Sequence, residues 1–67
     1  MENTMPTIAI SRNPNFGTFF NVTNRVTQEV EEVESKRKAV RLALKIARRL
    51  GENKIIDQDD NWNLIKA

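Results

Sequence analysis

The feature that most constrains this chain is the segment 35–51, SKRKAVRLALKIARRLG, because its two sides differ in character. When successive residues are placed about 100° apart, as in an α-helix, alanines recur at every fourth position along the middle of an apolar side. These are Ala39, Ala43 and Ala47. Small residues there let a helix lie close to a sheet or another helix. With Ser35 at the N-cap position and Gly51 after the last turn, the pattern predicts one amphipathic helix.

The opposite side of this predicted helix carries no acidic residue. Its cations are Arg37, Lys38, Arg41, Lys45, Arg48 and Arg49, and Lys36 lies beside them in the first turn. The helix dipole stabilises cations near the C-terminus but penalises them in the first turn, so Lys36, Arg37 and Lys38 need another explanation. A cationic face suits the phosphate backbone of DNA or RNA, or an acidic protein surface, and we predict one of these as the partner.

The chain has 67 residues, enough for one small domain, and contains neither cysteine nor histidine. Many domains of this size are stabilised by a disulfide or a zinc ion, and the residues for these usual sites are missing. Self-association is the remaining common solution, so a homodimer is an expected partner state. The polar residues before Pro6 predict a disordered N-terminus over 1–6, followed by a single small domain over 7–67.

The N-terminal third predicts a β-hairpin with strands at 7–11 and 18–23 around a turn at 13–17, where Asn, Pro and Gly reverse the chain. Alternation places one set of apolar residues toward a core. These are Ile8, Ile10, Phe20 and Val22. Phe19 then lies on the outer face, which makes it a candidate contact for a nucleic-acid base or a second subunit.

Residues 23–34, TNRVTQEVEEVE, fit two structures. Their valines continue into the next segment with the spacing of a heptad seam, which would give a long helix and a coiled-coil dimer behind an N-terminal hairpin. The β-branched residues and the N-cap serine at Ser35 favour instead a third strand that ends before Ser35. We favour the strand.

The C-terminal residues predict two short arms, 54–57 and 62–65, around the polar turn 58–61. The predicted fold is therefore α+β, a small antiparallel sheet of order β-β-(β)-α-β with an optional C-terminal hairpin, covered by one amphipathic helix.

This order of elements resembles a known family. The helix SKRKAVRLALKIARR and the final strand with its acidic turn, IIDQDDNW, are similar to those of the small bacterial proteins grouped as domain of unknown function 2188. The likeness covers Ile8 to about Leu64. The chain departs from the family pattern at Phe19 or Phe20, where a Trp is usual, and at Asn61, where a Gly is usual. The resemblance implies the α+β fold and no activity or site residues.

Catalysis is not expected, because the chain lacks His, Cys and Tyr, the side chains that most often act as nucleophile or base, and its carboxylates form no recognisable constellation. Asp57, Asp59 and Asn61 match the first half of a calcium loop, but Trp62 stands where that loop needs Gly. We therefore predict no enzyme, no small-molecule substrate, no metal and no cofactor.

Two function classes follow. We favour a small non-enzymatic regulatory or protein-interaction module that self-associates. The alternative is sequence-independent binding of DNA or RNA through the basic face of the helix over 36–50. A membrane partner is not expected, because the apolar side is rich in alanine and lacks aromatic anchors. No secretory signal or long apolar run is present, so a cytoplasmic location is expected.

Overall fold

A computed structural model describes residues 5–66 of the protein. The predicted disordered segment 1–6 lies mostly outside the described residues. Of its two described residues, Met5 is exposed and Pro6 is buried. The carbonyl oxygen of Pro6 accepts a hydrogen bond from Nη1 of Arg25 at 3.1 Å, which joins this residue to the turn after the second strand.

The described chain forms five strands, one α-helix and one short 3₁₀-helix. They are β1 (Ile8–Arg12), β2 (Phe20–Asn24), β3 (Val30–Val33), α1 (Lys36–Arg49), β4 (Lys54–Asp57), the 3₁₀-helix Gln58–Asp60 and β5 (Asn63–Lys66). The strands form one sheet in the order β3-β2-β1-β4-β5, and α1 packs on one of its faces. The predicted α+β fold with a single covering helix is confirmed.

The prediction of a purely antiparallel sheet is wrong at one pairing, because β1 and β4 run parallel. The remaining neighbours pair antiparallel. Two antiparallel steps make β3 parallel to β1. A single helix then carries the chain back to the end of the sheet where β3 began, so β4 must run in the same direction as β1.

The core lies between α1 and the sheet face that it covers. The strands contribute Ile8, Ile10, Phe20, Val22 and Ile55, and the helix contributes Ala39, Ala43 and Ala47. All three alanines are fully buried. The inward residues predicted for the hairpin are thus confirmed, although β1 and β2 begin one and two residues later than the sequence pattern indicated.

Residues 24–34 contain a turn and a strand, so the long-helix alternative is wrong. The side-chain oxygen of Asn24 accepts hydrogen bonds from the backbone N–H groups of Val26 (2.9 Å) and Thr27 (3.0 Å), which closes a tight turn after β2. Strand β3 then pairs with β2. Val26 and Val30 of the supposed seam are exposed, and the helix begins only after Ser35.

Both predicted ends of α1 are confirmed. The hydroxyl of Ser35, in extended conformation, accepts a hydrogen bond from the N–H of Lys38 at 3.3 Å. At the other end Gly51 has φ 80°, a value that glycine adopts readily. The N–H groups of Glu52 and Gly51 donate to the carbonyls of Ala47 (2.8 Å) and Arg48 (3.0 Å), which is the Schellman arrangement.

The predicted C-terminal hairpin is present as β4 and β5. Asp57 ends β4, and its carboxylate accepts hydrogen bonds from the N–H groups of Asp59 (3.1 Å) and Asp60 (3.2 Å). Asn61 and Trp62 follow with positive φ values of 53° and 59°. Within residues 5–66 no helix has the length and apolar character needed to cross a membrane.

Candidate nucleic-acid interface

Five of the seven predicted site cations lie together on the exposed side of α1. These are Arg37, Arg41, Lys45, Arg48 and Arg49, and we call them the basic stripe. Each is exposed, and within residues 5–66 none forms an ion pair with a carboxylate. Their charges are therefore compensated only by solvent.

The position of the stripe follows from the packing of the helix. The buried alanines fix which side of α1 touches the sheet, and Arg37, Arg41 and Arg48 lie within about 40° of one another on the far side. Arg37 and Arg48 are about 17 Å apart along the axis, counting about 1.5 Å per residue. Arg41, Leu44, Lys45 and Arg48 line a shallow depression on this surface. Arg37, Arg41 and Arg48 thus form a nearly straight line that faces away from the sheet. Lys45 and Arg49 lie to one side of this line.

Lys36 does not belong to the stripe, because it binds two carboxylates of the same chain. Its Nζ lies 2.7 Å from Oδ2 of Asp57 and 3.2 Å from Oδ2 of Asp59. The hydrogen bond to Asp57 raises the pKa of Lys36 above its ordinary value, against the opposing effect of partial burial. Asp59 in turn accepts from Nε of Arg12 at 3.2 Å. Lys36 therefore fastens the start of the helix to the β4–β5 connection.

Lys38 also has an internal partner. Its Nζ lies 2.9 Å from Oε1 of Glu34, and this hydrogen bond lowers the pKa of the Glu34 carboxyl. Both side chains are well exposed, so the pair contributes little to stability and exchanges readily with solvent. Lys38 lies on the same side of α1 as the stripe, but it is not counted in it because it has a carboxylate partner.

These two ion pairs change the argument from the helix dipole. The helix dipole penalises all three first-turn cations, and the structure gives Lys36 and Lys38 acidic partners. Arg37 alone keeps an unfavourable position near the N-terminus without an ion-pair partner in residues 5–66. The feature that points to a ligand is therefore the stripe as a whole.

Phe19, the candidate contact aromatic, is half-buried. Its ring packs against Phe16, with centroids 5.8 Å apart and the rings tilted by 56°. Phe16 is the more exposed of the two, at 59%. Sequence reasoning missed Phe16 because it lies in a turn, where strand alternation gives no information on exposure. Helix α1 itself contains no aromatic residue.

The residues that half-match a calcium loop are used within the fold. Asp57 is buried, where it binds Lys36 and caps the 3₁₀-helix. Asp59 binds Lys36 and Arg12, and these cations lower the pKa of its carboxyl. Across residues 5–66, no group of three or more His, Cys, Asp or Glu side chains is placed to hold a metal ion.

Acidic residues gather on a different part of the surface. Strand β3 lies at one edge of the sheet, and Glu29 and Glu31 border a groove of about 440 Å³ between β3 and α1. The floor of this groove is apolar and includes Ile8, Val22 and Ile46. Glu32, on the same strand, accepts a hydrogen bond from the side chain of Asn13. The acidic edge and the basic stripe are therefore separate surfaces.

Comparison with known proteins gives no match: no family model, no curated protein and no solved structure matches this chain significantly. The resemblance to domain of unknown function 2188 accordingly rests on the quoted residues alone, and membership of that family stays a prediction.

Proposed function

We propose that the protein binds the phosphate backbone of double-stranded nucleic acid through the basic stripe, without reading base sequence. The observation that carries this proposal is that five exposed cations share one side of α1, opposite the alanines that pack on the sheet. Phosphate contacts position a protein on a duplex but carry no base information, so binding is expected to be sequence-independent.

The uniform sign and linear arrangement of the stripe favour a phosphate backbone over an acidic protein surface. The residues Arg37, Arg41, Lys45 and Arg48 follow one another at intervals of about 4.5 to 6 Å along the helix axis. A DNA duplex offers about one negative charge per 1.7 Å of its axis, whereas protein surfaces usually mix both signs. Arginine also matches phosphate oxygens with two parallel hydrogen bonds, and the stripe contains more arginine than lysine.

The shape of the surface favours a duplex over a single strand. Proteins that bind single strands stack bases on aromatic side chains, and α1 offers none. An exposed helix instead fits the major groove of B-DNA, which is about 12 Å wide, where both flanking backbones come within reach of arginine side chains. We therefore name a duplex as the ligand class, and DNA in particular, because the major groove of duplex RNA is deep and narrow.

This proposal reverses the preference drawn from the sequence, which placed a protein-interaction module first. The reason is that the cations share one side of α1 and have no carboxylate partner within residues 5–66, whereas the exposed apolar residues are dispersed over several elements. The interaction module is kept as a second candidate because two exposed apolar residues lie two positions apart at a sheet edge, Leu64 within β5 and Trp62 just before it. That surface is separate from the stripe.

A salt titration of duplex binding tests the proposal. If four stripe cations each contact one phosphate, the logarithm of affinity should fall with the logarithm of salt with a slope of about −3.6, or about 100-fold between about 50 and 200 mM salt. Arg41→Gln removes about one phosphate contact, so it should make the slope less steep by about 0.9 and weaken binding to every duplex sequence alike. Fluorescence anisotropy with two labelled duplexes of unrelated sequence measures both effects.

The matched control removes charge elsewhere. Lys54 is an exposed cation at the first residue of β4, outside α1. A Lys54→Gln variant should keep more affinity than Arg41→Gln, although both lose one charge. Equal losses, or no duplex binding at low salt, would contradict the proposal. Competition by polyglutamate as effective as by duplex at equal charge would assign the stripe to acidic proteins instead.

A further inference from the structure

Strand β5 ends the sheet with a free edge next to exposed apolar side chains. It spans Asn63–Lys66, and among the described residues 5–66 it pairs only with β4, so half of its backbone N–H and C=O groups have no strand partner there. Leu64 within it is 48% exposed, and Trp62 just before it is 54% exposed. Large apolar residues beside an unpaired edge are the usual mark of a strand that pairs with another chain.

The backbone at Trp62 adds an independent observation. This residue is the only tryptophan of the chain, and its φ of 59° lies in the left-handed region that bulky side chains rarely adopt. Strained conformations of this kind persist only where the surrounding structure holds them, and they are frequent at functional sites. Here the strained residue carries a large apolar side chain that remains half exposed in the single chain.

We propose that the protein forms a homodimer in which the β5 strands of two copies pair antiparallel about a two-fold axis, giving one ten-stranded sheet. The axis passes beside Leu64, so that Leu64 faces Leu64 of the partner subunit. In this register Trp62, the residue just before β5, comes near Lys66 of the partner subunit, where an aromatic ring and a cation attract each other. The two exposed apolar residues are then covered, and each Lys66 lies at the end of the interface, away from its symmetry mate.

The other free edge is unsuited to symmetric pairing. Strand β3 carries Glu31 and Glu32 at its centre, so that antiparallel pairing of two β3 strands would place carboxylates opposite or beside one another at the axis. Like charges in facing positions destabilise strand pairing, and charges on an edge strand protect it from joining another chain. Charge therefore selects β5 as the edge that accepts a second copy.

The two-fold axis has a geometric consequence. Antiparallel pairing about an axis perpendicular to the sheet keeps the same face of both sheets on the same side. Both α1 helices consequently lie on one face of the ten-stranded sheet. Dimerisation needs no ligand, so its test is independent of the test for the proposed nucleic-acid binding.

Sedimentation equilibrium and tryptophan fluorescence of the full chain test the dimer. With rising protein concentration the mass should increase from 7.7 kDa to twice that value and stop there. The emission of Trp62 should shift to shorter wavelength over the same range, because the indole leaves water. Since the paired edge is short, the association should be weak and the transition broad.

Two matched substitutions locate the interface. Leu64→Lys should raise the dissociation constant about tenfold or more, because it sets like charges opposite each other at the axis. Val30→Lys, at the equally exposed first residue of β3 on the opposite edge, should leave the dissociation constant unchanged. Far-UV circular dichroism checks that both variants remain folded.

Trp62→Gly provides a second variant that does not depend on adding charge. Glycine adopts positive φ without strain, so the variant should be at least as stable to urea at low concentration as the parent chain. It should nevertheless dimerise several-fold more weakly. A mass of 7.7 kDa at all concentrations would overturn the proposal. So would a greater effect of Val30→Lys than of Leu64→Lys, or growth beyond a dimer, which would indicate β5-to-β3 pairing in open chains.

Discussion

Nζ of Lys36 lies 2.7 Å from Oδ2 of Asp57, and this ion pair joins the first turn of the only α-helix in residues 5–66 to the last residue of strand β4. The Asp57 side chain is almost completely buried, whereas that of Lys36 is about one-third exposed. The lysine thus closes over a carboxylate that the fold has removed from water. A cation predicted to contact a ligand is instead part of the structure.

We predict that Lys36→Met destabilises the protein by about 1 kcal/mol, less than the cost of breaking a fully buried pair because Lys36 is partly in water. Asp57→Ala should cost about 2 to 3 kcal/mol, since it also leaves the N–H groups of Asp59 and Asp60 without their acceptor. Arg37→Met, in the same turn, should have an effect near zero. Urea unfolding of the three variants measures these differences, and equal losses for Lys36→Met and Arg37→Met would contradict the assignment.

The same cluster predicts a pH dependence. The pKa of Asp59 lies below its ordinary value of 3.8, chiefly through its hydrogen bond to Lys36, so the unfolded chain takes up a proton before the folded one does. The contribution of Asp59 to stability is therefore complete above about pH 4 and is lost as the pH falls through the lowered pKa.

At alkaline pH the raised pKa of Lys36 has the opposite effect, so that stability falls as the pH rises. Its contribution to stability is complete below pH 10.5, its ordinary pKa, and is lost as the pH rises through the folded-state pKa.

The Asp59→Asn variant tests the prediction for acid pH. Urea midpoints of the parent chain and of Asp59→Asn, measured across the pH range, should converge in strong acid. A difference that stays constant down to the lowest pH would be inconsistent with this account.

Asn13 supplies a test of the β1–β2 connection. This buried side chain accepts hydrogen bonds from the N–H groups of Asn15 (2.8 Å) and Phe16 (3.1 Å) and donates to Asn21 and Glu32 (both 3.1 Å). Asn13→Asp keeps the accepting oxygen but places a second carboxylate beside Glu32. We expect a loss of about 1 to 3 kcal/mol at neutral pH.

Acid should reverse much of that loss, because a protonated aspartic acid donates to Glu32 as the amide did. Asn13→Ala serves as the control, since it removes all four hydrogen bonds and should show no such recovery. Thermal unfolding at pH 7 and pH 4 compares the variants. Recovery of equal size in both would show that repulsion from Glu32 is not the cause.

The alanine row sets the distance between α1 and the sheet. Ala43 has no accessible surface, so Ala43→Leu must insert three carbon atoms into a closed contact and should destabilise the protein by about 1 to 3 kcal/mol or more. Leu has nearly the helix propensity of Ala, so propensity adds little to this cost. Lys45→Leu, on the exposed side, is the matched control and should change the unfolding free energy by less than about 0.5 kcal/mol.

The sequence predicted local structure well wherever a strong pattern and an end signal coincided. The helix between Ser35 and Gly51 is the clearest example, because its alanine row, N-cap and C-terminal glycine indicate the same boundaries. The weakest stretch was 23–34, where three valines fitted both a heptad and a strand. The turn at Asn24 rules out the continuous helix. Its hydrogen bonds depend on where β2 ends, which the valine pattern does not indicate.

The candidate site was also only partly predictable from the sequence. Which residues of α1 are cationic, and that they lie opposite the alanines, follow from the order of amino acids and the helical repeat alone. Only the tertiary structure decided that Lys36 is bound by Asp57 and Asp59, far along the chain. It also decided that the five cations of the basic stripe have no carboxylate partner within residues 5–66.

The physical reason is the separation along the chain over which each kind of interaction acts. Periodicity, capping and turn chemistry act between residues a few positions apart, so the sequence by itself determined the helix, its two faces and the strand alternation. Asp57 and Asp59 are more than twenty residues from Lys36, and β4 lies parallel to β1 only because the helix crosses the sheet. Contacts of that separation depend on how the elements pack together, and only the folded chain brings them within a hydrogen-bond distance.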